Sequence, residues 1–501
     1  MMGHWIIAPV VLPAVTGAFT LLALRDAPMV ARSISTAATA LLLAIALWLL
    51  HGATVHGAEA YFLGNWPAPF GIVLVLDRLS ALMVTLTAAL ALVVQLYAIG
   101  TGWDLRGRHF HALWQFQLMG VCGAFLTGDA FNLFVFFEVL LIASYGLMIH
   151  AGGRDRLKAG VQYVVFNLVG STLFLFALAT VYSVTGTLNM ADLAVKLPLL
   201  PQGDMALMRV AGAMLLMVFA IKGALVPLHF WLPATYAEAP GPVSALFAVM
   251  TKVGAYAVIR VFTLIFPISL PATGALFADL LLPAAVITLA VGAVGVMGAR
   301  SLQGMVAFAA VTSMGTLFAA VAQFTPEAIS AALYYALHST LAAAALFLIA
   351  DLTVDRRGSG DLGSARAPIA QQGLIAALFM LGAIAIAGMP PLSGFLGKLM
   401  ILSASRGETL VWAAILLSSF VMILGLARAG STLFWKSHAE GARPAPHDAQ
   451  PLAFVAVGAL LAGLVLLTVA AGPITGWLAD TAAALQDPAA YIAANRLEGM
   501  E

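Results

Sequence analysis

FAIKGALVPLHFWLPATYAEAPGPVSALFAVMTKVGAYAVIR, residues 219–260, places Lys222 and Lys252 inside apolar sequence and sets Pro227, Pro233 and Pro240 between them. A charge near the centre of a bilayer costs a few kcal/mol on insertion scales and about 10 kcal/mol or more in simulations of isolated helices. Lysines in such positions face a protein interior or a water-filled path. The apolar run around Lys222, residues 206–236, is longer than the roughly 20 to 25 residues that cross a bilayer. Proline removes a helical hydrogen bond and clashes with the preceding turn, so this span is expected to be a helix broken near Pro227.

Two further stretches repeat the pattern. GDAFNLFVFFEVLLIASYGLM, residues 128–148, carries Glu138 about nine residues into its span, roughly 14 Å along a helix rising 1.5 Å per residue. GMPPLSGFLGKLMIL, residues 388–402, carries Lys398 after Pro390 and Pro391, within a second overlong run at 369–405. Interrupted helices at corresponding places in two halves are a sequence pointer to a transport site.

The whole chain fits this setting. It is 62% hydrophobic and 9% charged over 501 residues, with mean hydropathy +1.02; a soluble protein carries roughly a quarter charged residues. Fourteen or so spans are expected, at about 4–24, 31–51, 73–100, 109–127, 129–150, 159–184, 206–236, 242–265, 277–298, 301–323, 326–353, 369–405, 409–434 and 451–479. This is an all-α polytopic membrane protein. No room is left for a soluble catalytic domain. A net charge of +1 without a long basic tract gives no reason to expect nucleic acid. Cys122 is the single cysteine, so no intrachain disulfide, iron–sulfur or zinc cluster is expected, and it reads as a small packing residue. No nucleotide-binding motif or supported haem ligand pair occurs, so no cofactor is expected. The first apolar run, HWIIAPVVLPAVTGAFTLLAL, is long for a signal core and reads as a retained span.

Loop charge sets an orientation. Odd-numbered loops and the adjoining span ends hold Arg25, Arg32, Arg106, Arg108, Arg154, Arg156, Lys158, Arg300, Arg356, Arg357, Arg366, Arg428, Lys436 and Arg443. Even loops and termini hold Arg78, Lys196, Arg209, Arg260, Arg406 and Arg496. Cytoplasmic loops are enriched in Lys and Arg, so the odd loops are expected inside and both termini outside.

The halves also echo each other. Residues 227–232, PLHFWL, resemble 391–396, PLSGFL, and 162–167, QYVVFN, resemble 333–338, LYYALH. Tyr163 and Asn167, like Tyr334 and His338, are four apart and share a helix face. The matches fall in order, sixth then seventh span and eleventh then twelfth, which points to a five-helix repeat.

The buried groups suit proton movement. A desolvated carboxylate favours its neutral form, and a buried lysine loses its proton more readily unless a carboxylate stands beside it. Lys222 is the natural cation for Glu138, either as a switchable relay or as a structural ion pair. Tyr145 returns to the Glu138 face, and Ser244 and Tyr256 share the face of Lys252. His338, midway along residues 328–350, suits proton transfer near neutral pH; the alternative is a hydrogen bond between helices. Lys222 and Lys398 have an anchoring alternative, and Lys252 a packing one. His229 beside Pro227 is a weaker candidate, while Asp129 and Asp351 read as helix-end residues.

At these residues the chain resembles the antiporter-like subunits shared by respiratory complex I, membrane-bound hydrogenases and Mrp-type multisubunit sodium/proton antiporters. The carrying segments are residues 128–148, 219–260, LQGMVAFAAVTSMG (302–315) and 388–402, and the likeness spans essentially the whole chain. GNWPAPFGIVLVLDRLSALMV (64–84), GDAFNLFVFFEV and Lys398 are most similar to the D-type subunits of the Mrp branch. The resemblance implies fourteen helices, with two inverted five-helix repeats and two broken helices. It implies an N-terminal unit at 1–108, repeats at 109–265 and 277–434, and a C-terminal helix and tail at 451–501. It also implies a proton-transfer series of Glu138, Lys222, Lys252, His338 and Lys398. Aligning Pro227 with Pro391 places Lys222 before one break and Lys398 after the other, so the two are not register-equivalent.

The expected function is proton translocation within a monovalent cation (sodium)/proton antiporter complex of the bacterial inner membrane, not an enzyme. The implied partners are the other subunits of a hetero-oligomer, protons, sodium ions and lipid. The alternatives are a pumping subunit of a redox complex and a non-conducting assembly scaffold.

Overall fold

The computed structural model describes residues 3–67, 69–363, 366–436 and 447–495. Arg443 and Arg496, counted above for orientation, lie outside the described residues. Helices α1 (Ala8–Ala23) and α2 (Pro28–His56) lead into a hairpin of β1 (Glu59–Phe62) and β2 (Val73–Leu76). The third expected span, 73–100, therefore loses its start to a strand. Asp77 and Ser80 form a reciprocal capping box that begins α3 (Arg78–Gly100), with Ser80 N–H donating to Asp77 at 2.8 Å.

The next helices are α4 (Phe110–Leu126), α5 (Ala130–Met148), α6 (Arg154–Thr185) and the short α7 (Met190–Lys196). They are followed by α8 (Gln202–Lys222), α9 (Trp231–Glu238) and α10 (Gly241–Leu264). Then come α11 (Leu276–Gly298), α12 (Leu302–Val321), α13 (Pro326–Arg357), α14 (Gln372–Ala387), α15 (Ser393–Ala404) and α16 (Thr409–Gly430). The chain closes on α17 (Pro451–Val469), α18 (Ala471–Gln486) and α19 (Ala489–Ala494). Among the described residues eleven helices are long and apolar enough to cross a membrane, and α1, α14 and α15 are shorter apolar helices. This is an integral membrane protein. The last expected span, 451–479, ends early: α17 stops at Val469, and α18 runs on to Gln486 packed against α13. Pro473 brings no N–H to continue the earlier helix.

Two sets of five helical units repeat: α4, α5, α6, α8 with α9, and α10; then α11, α12, α13, α14 with α15, and α16. The same clamp closes each set at the same displacement along the chain. Ala130 N–H donates to Leu188 O at 2.8 Å, and Leu302 N–H to Gly360 O at 2.8 Å. Asp129 bridges Asn189 as Ser301 bridges Asp361. Gly186 and Gly358 end α6 and α13 with φ 69° each, the left-handed cap that glycine adopts without strain. Gly120 lies against the backbone of Leu140, as Gly292 lies against that of Thr312. Each unit of the second set follows its counterpart in the first by five spans, an odd number, so the second set is inverted relative to the first.

This register corrects the match of residues 162–167 to 333–338 by one place. Tyr163 corresponds to Tyr335: its hydroxyl pairs with Ser144 at 2.8 Å, and Tyr335 turns toward the equivalent Thr316. The adjacent Tyr334–Tyr335 pair made the two registers indistinguishable in sequence.

Helix α10 is the central post, with every residue from Pro242 to Leu264 buried between the two sets. Arg260 is therefore not a loop residue. It is 3% exposed within α10 and pairs with Asp77 at 2.7 Å, which removes it from the even-loop count.

Candidate functional site

Both overlong runs are broken helices. Helix α8 stops at Lys222 and its continuation α9 starts at Trp231; α14 stops at Ala387 and α15 starts at Ser393. The two breaks have the same hydrogen-bond design. Leu225 N–H reaches back to Ala220 O at 2.9 Å, and Met389 N–H to Ile384 O at 3.0 Å. Ala224 and Gly388 take positive φ, 53° and 79°, and Pro227 and Pro391 each follow a cis peptide bond. Each break leaves carbonyls without helical partners. Trp231 Nε1 donates to Ile221 O at 2.8 Å in the first.

Lys222 is the last residue of α8 and is 8% exposed. Its ammonium sits at the negative end of a half-helix. Nζ donates to Asn167 Oδ1 at 2.9 Å and lies 5.5 Å from the Phe137 ring centroid. Among the described residues Lys222 makes no ion pair with Glu138, so of the two alternatives the structural ion pair is not formed. The reason is the path of α6, which packs against both α5 and α8. Glu138 is half-buried and accepts a hydrogen bond from the Ser171 hydroxyl. Ser171 Oγ also lies 3.0 Å from Asn167 O. Ser171 and Asn167, one turn apart on α6, thus hold the acid and the lysine respectively, and the Ser171 hydroxyl faces the Asn167 main-chain carbonyl rather than its side chain. Asn167 was noted above only as the partner of Tyr163, and Ser171 was missed. The signal was present as Tyr163, Asn167 and Ser171, three polar residues at four-residue spacing in an apolar helix. Tyr145 meets Tyr163 edge-on, with ring centroids 5.3 Å apart.

Lys252 lies in α10, 2% exposed, with no hydrogen bond or ion pair to another described residue. The polar stripe expected beside it is spent on backbone groups. Ser244 donates to Tyr236 O at 2.8 Å and Tyr256 to Phe125 O at 2.6 Å.

In the second break the lysine comes from the other side. Lys398 belongs to α15, yet Nζ returns to donate to Ala387 O, the last carbonyl of α14, at 2.8 Å, and to Ser419 Oγ at 2.8 Å. At 6% exposed, it is not an interface anchor. Gly388 permits this return: a Cβ there would stand 3.0 Å from Nζ. His338 Nδ1 pairs with Ser393 Oγ at 2.9 Å, the first residue of α15. A Cβ on Gly394 would meet Ala385 O at 2.1 Å and His338 Nε2 at 2.7 Å, so only glycine admits this close approach.

The remaining candidates resolve simply. Asp129 is the α5 N-cap, accepting from Asn132 N–H at 2.8 Å. Asp351 is not a helix-end group but lies within α13, half-buried, accepting from Tyr97 at 2.8 Å and Trp103 at 2.9 Å. His229 lies within the first break, half-buried, with Nδ1 unpartnered among the described residues. Cys122 is buried. Among the described residues no cluster of three or more His, Cys, Asp or Glu side chains could hold a metal.

This fold and site have clear relatives. The family model "NADH:quinone oxidoreductase/Mrp antiporter, TM" matches residues 127–425. The D-type subunit of a probable K(+)/H(+) antiporter from Rhizobium meliloti is 37% identical, covering 97% of this chain and 96% of its own. The D-type subunit of the Na(+)/H(+) antiporter from Bacillus subtilis is also 37% identical, covering 98% and 99%. A chain in the structure of the Mrp complex from Dietzia sp. DQ12-45-1b superposes with TM-score 0.88 at 27% identity, covering 98% of this chain and 99% of that one. The chain belongs to the NADH:quinone oxidoreductase/Mrp antiporter transmembrane family.

Proposed function

We propose that this chain is the proton-translocating subunit of a monovalent cation/proton antiporter complex, working beside other subunits in the bacterial inner membrane. The observation that carries the reading is the placement of a lysine ammonium at each helix break: Lys222 on α8 itself, and Lys398 reaching back to Ala387. The D-type relatives and the Mrp superposition supply the class of reaction. The two relatives' names differ in cation, potassium in one and sodium in the other, so the class is monovalent cation with sodium as first expectation.

In this reading Glu138 and Lys222 form the first station, coupled through Ser171 and Asn167. Lys252 is the unpaired link in the central post, and His338 and Lys398 form the last station. Water bridges the gaps between stations, and the charge of each station biases the next. Loop charge, with Arg260 removed from the even side, supports odd loops inside and both termini outside. Sodium then crosses in a neighbouring subunit while this one carries protons.

Exchange driven by an imposed pH gradient alone, in vesicles holding the full complex, tests this. Activity that appears only with an electron donor would instead assign a redox-linked pump.

A further inference from the structure

A cleft of about 310 Å³ opens where the end of α1, the start of α2 and the start of α4 meet, on the face of the odd-numbered loops. Arg25, Arg106, Arg108 and His109 line it, together with the first turn of α4. Arg108 and His109 are exposed and bond to no other described side chain. Among the described residues Arg25 pairs only with the exposed Asp26, at 3.3 Å. Arg106 is held in place by the Trp103 ring, 4.0 Å below its guanidinium, with Asp355 at 3.8 Å.

The one carboxylate in the wall does not offset these charges. Both oxygens of Asp104 are occupied, by Arg32 at 2.7 and 3.0 Å and by His111 at 3.1 Å. The helix end adds donors: α4 begins after His109, whose φ is 66° and whose side chain makes no cap bond. Phe110, His111 and Ala112 of this first turn line the cleft, and no side chain caps their amides. Amides at a helix start need a partner from outside the helix, and the positive end of a helix favours an anion. The ends of α1 and α2 that border the cleft also carry exposed apolar side chains: Phe19, Leu22, Met29 and Val30 are 48–79% exposed.

We propose that this cleft seats the phosphate of one anionic phospholipid, with its acyl chains along α1 and α2. The cationic rim and the α4 amides bind phosphate, and the flanking apolar faces distinguish lipid from a free anion. Basic pockets between spans bind such head groups.

The test is native mass spectrometry of the assembled complex in neutral detergent, titrated with phosphatidylglycerol, phosphatidylcholine or inorganic phosphate. Wild type is expected to retain phosphatidylglycerol in preference to phosphatidylcholine. Arg25→Gln with Arg108→Gln is expected to weaken that retention roughly thirtyfold, at about fivefold per charge. Arg108→Gln alone, at a side chain with no described partner, gives a smaller loss in the same direction and guards against misassembly of the double variant. Equal retention of phosphatidylcholine, or unchanged phosphatidylglycerol binding in both variants, overturns the site. Inorganic phosphate binding as tightly as phosphatidylglycerol overturns the lipid assignment.

Discussion

Lys222 donates its ammonium hydrogen bond to Asn167, at 2.9 Å, and not to Glu138. Glu138 and Lys222 are held by separate neutral side chains one turn apart on α6, Ser171 and Asn167, and in the proposed route the state of the acid acts on the lysine across these groups. A direct buried ion pair would be held by its own geometry, and removing one partner would leave the other charge buried and uncompensated.

Asn167→Leu removes the acceptor without changing the helix. A hydrogen bond to a charged group contributes about 1.5–3 kcal/mol, so cation/proton exchange should fall roughly ten- to hundredfold while the complex still assembles. Ser171→Ala should show a smaller loss, because Glu138 lies half-exposed and water replaces the hydroxyl. Initial exchange rates in vesicles measure both; unchanged rates in Asn167→Leu contradict the bridge.

Gly394→Ala tests the packing of the second break. Its methyl group would need space occupied by Ala385 O and His338 Nε2. Overpacking of this kind costs about 1–3 kcal/mol, and α15 must shift to relieve it. Thermal unfolding of the assembled complex should show the loss, together with reduced exchange.

Asp104 gives a pH signature outside the spans. Burial raises its carboxyl, but hydrogen bonds from His111 and Arg32 outweigh this and hold it below the usual carboxylate range. A depressed carboxyl binds its proton less readily folded than unfolded. Its contribution is therefore present above about pH 4 and is lost as pH falls through the lower folded value. Asp104→Asn should cost about 2 kcal/mol near neutral pH, and the melting temperatures of variant and wild type should converge below pH 4.

Much of this was legible in sequence because prolines and charges are conspicuous in apolar runs. Pro227 and Pro391 located both breaks, and the ionisable residues in apolar runs supplied the candidates for the proposed route. What was not legible depended on which side chain turns where. Nothing in the spacing of Lys398 shows that its ammonium returns to Ala387, a contact that rests on the glycine at 388. Asn167 and Ser171 are common neutral residues, and their importance follows from α6 passing between α5 and α8. The paired tyrosines at 334 and 335 hid a one-residue register difference. Val73–Leu76 read as the start of a span because a buried strand and an apolar helix segment share composition.

The central claim is that Glu138, Lys222 and Lys398 carry the proton route. The most direct measurement is exchange driven by a pH gradient in vesicles containing the assembled complex with Glu138→Ala, Lys222→Ala or Lys398→Ala. The account predicts at least a tenfold loss for Lys222→Ala and Lys398→Ala, and a marked loss for Glu138→Ala, with assembly intact. Wild-type exchange in all three assembled variants would contradict it and leave the chain as a scaffold.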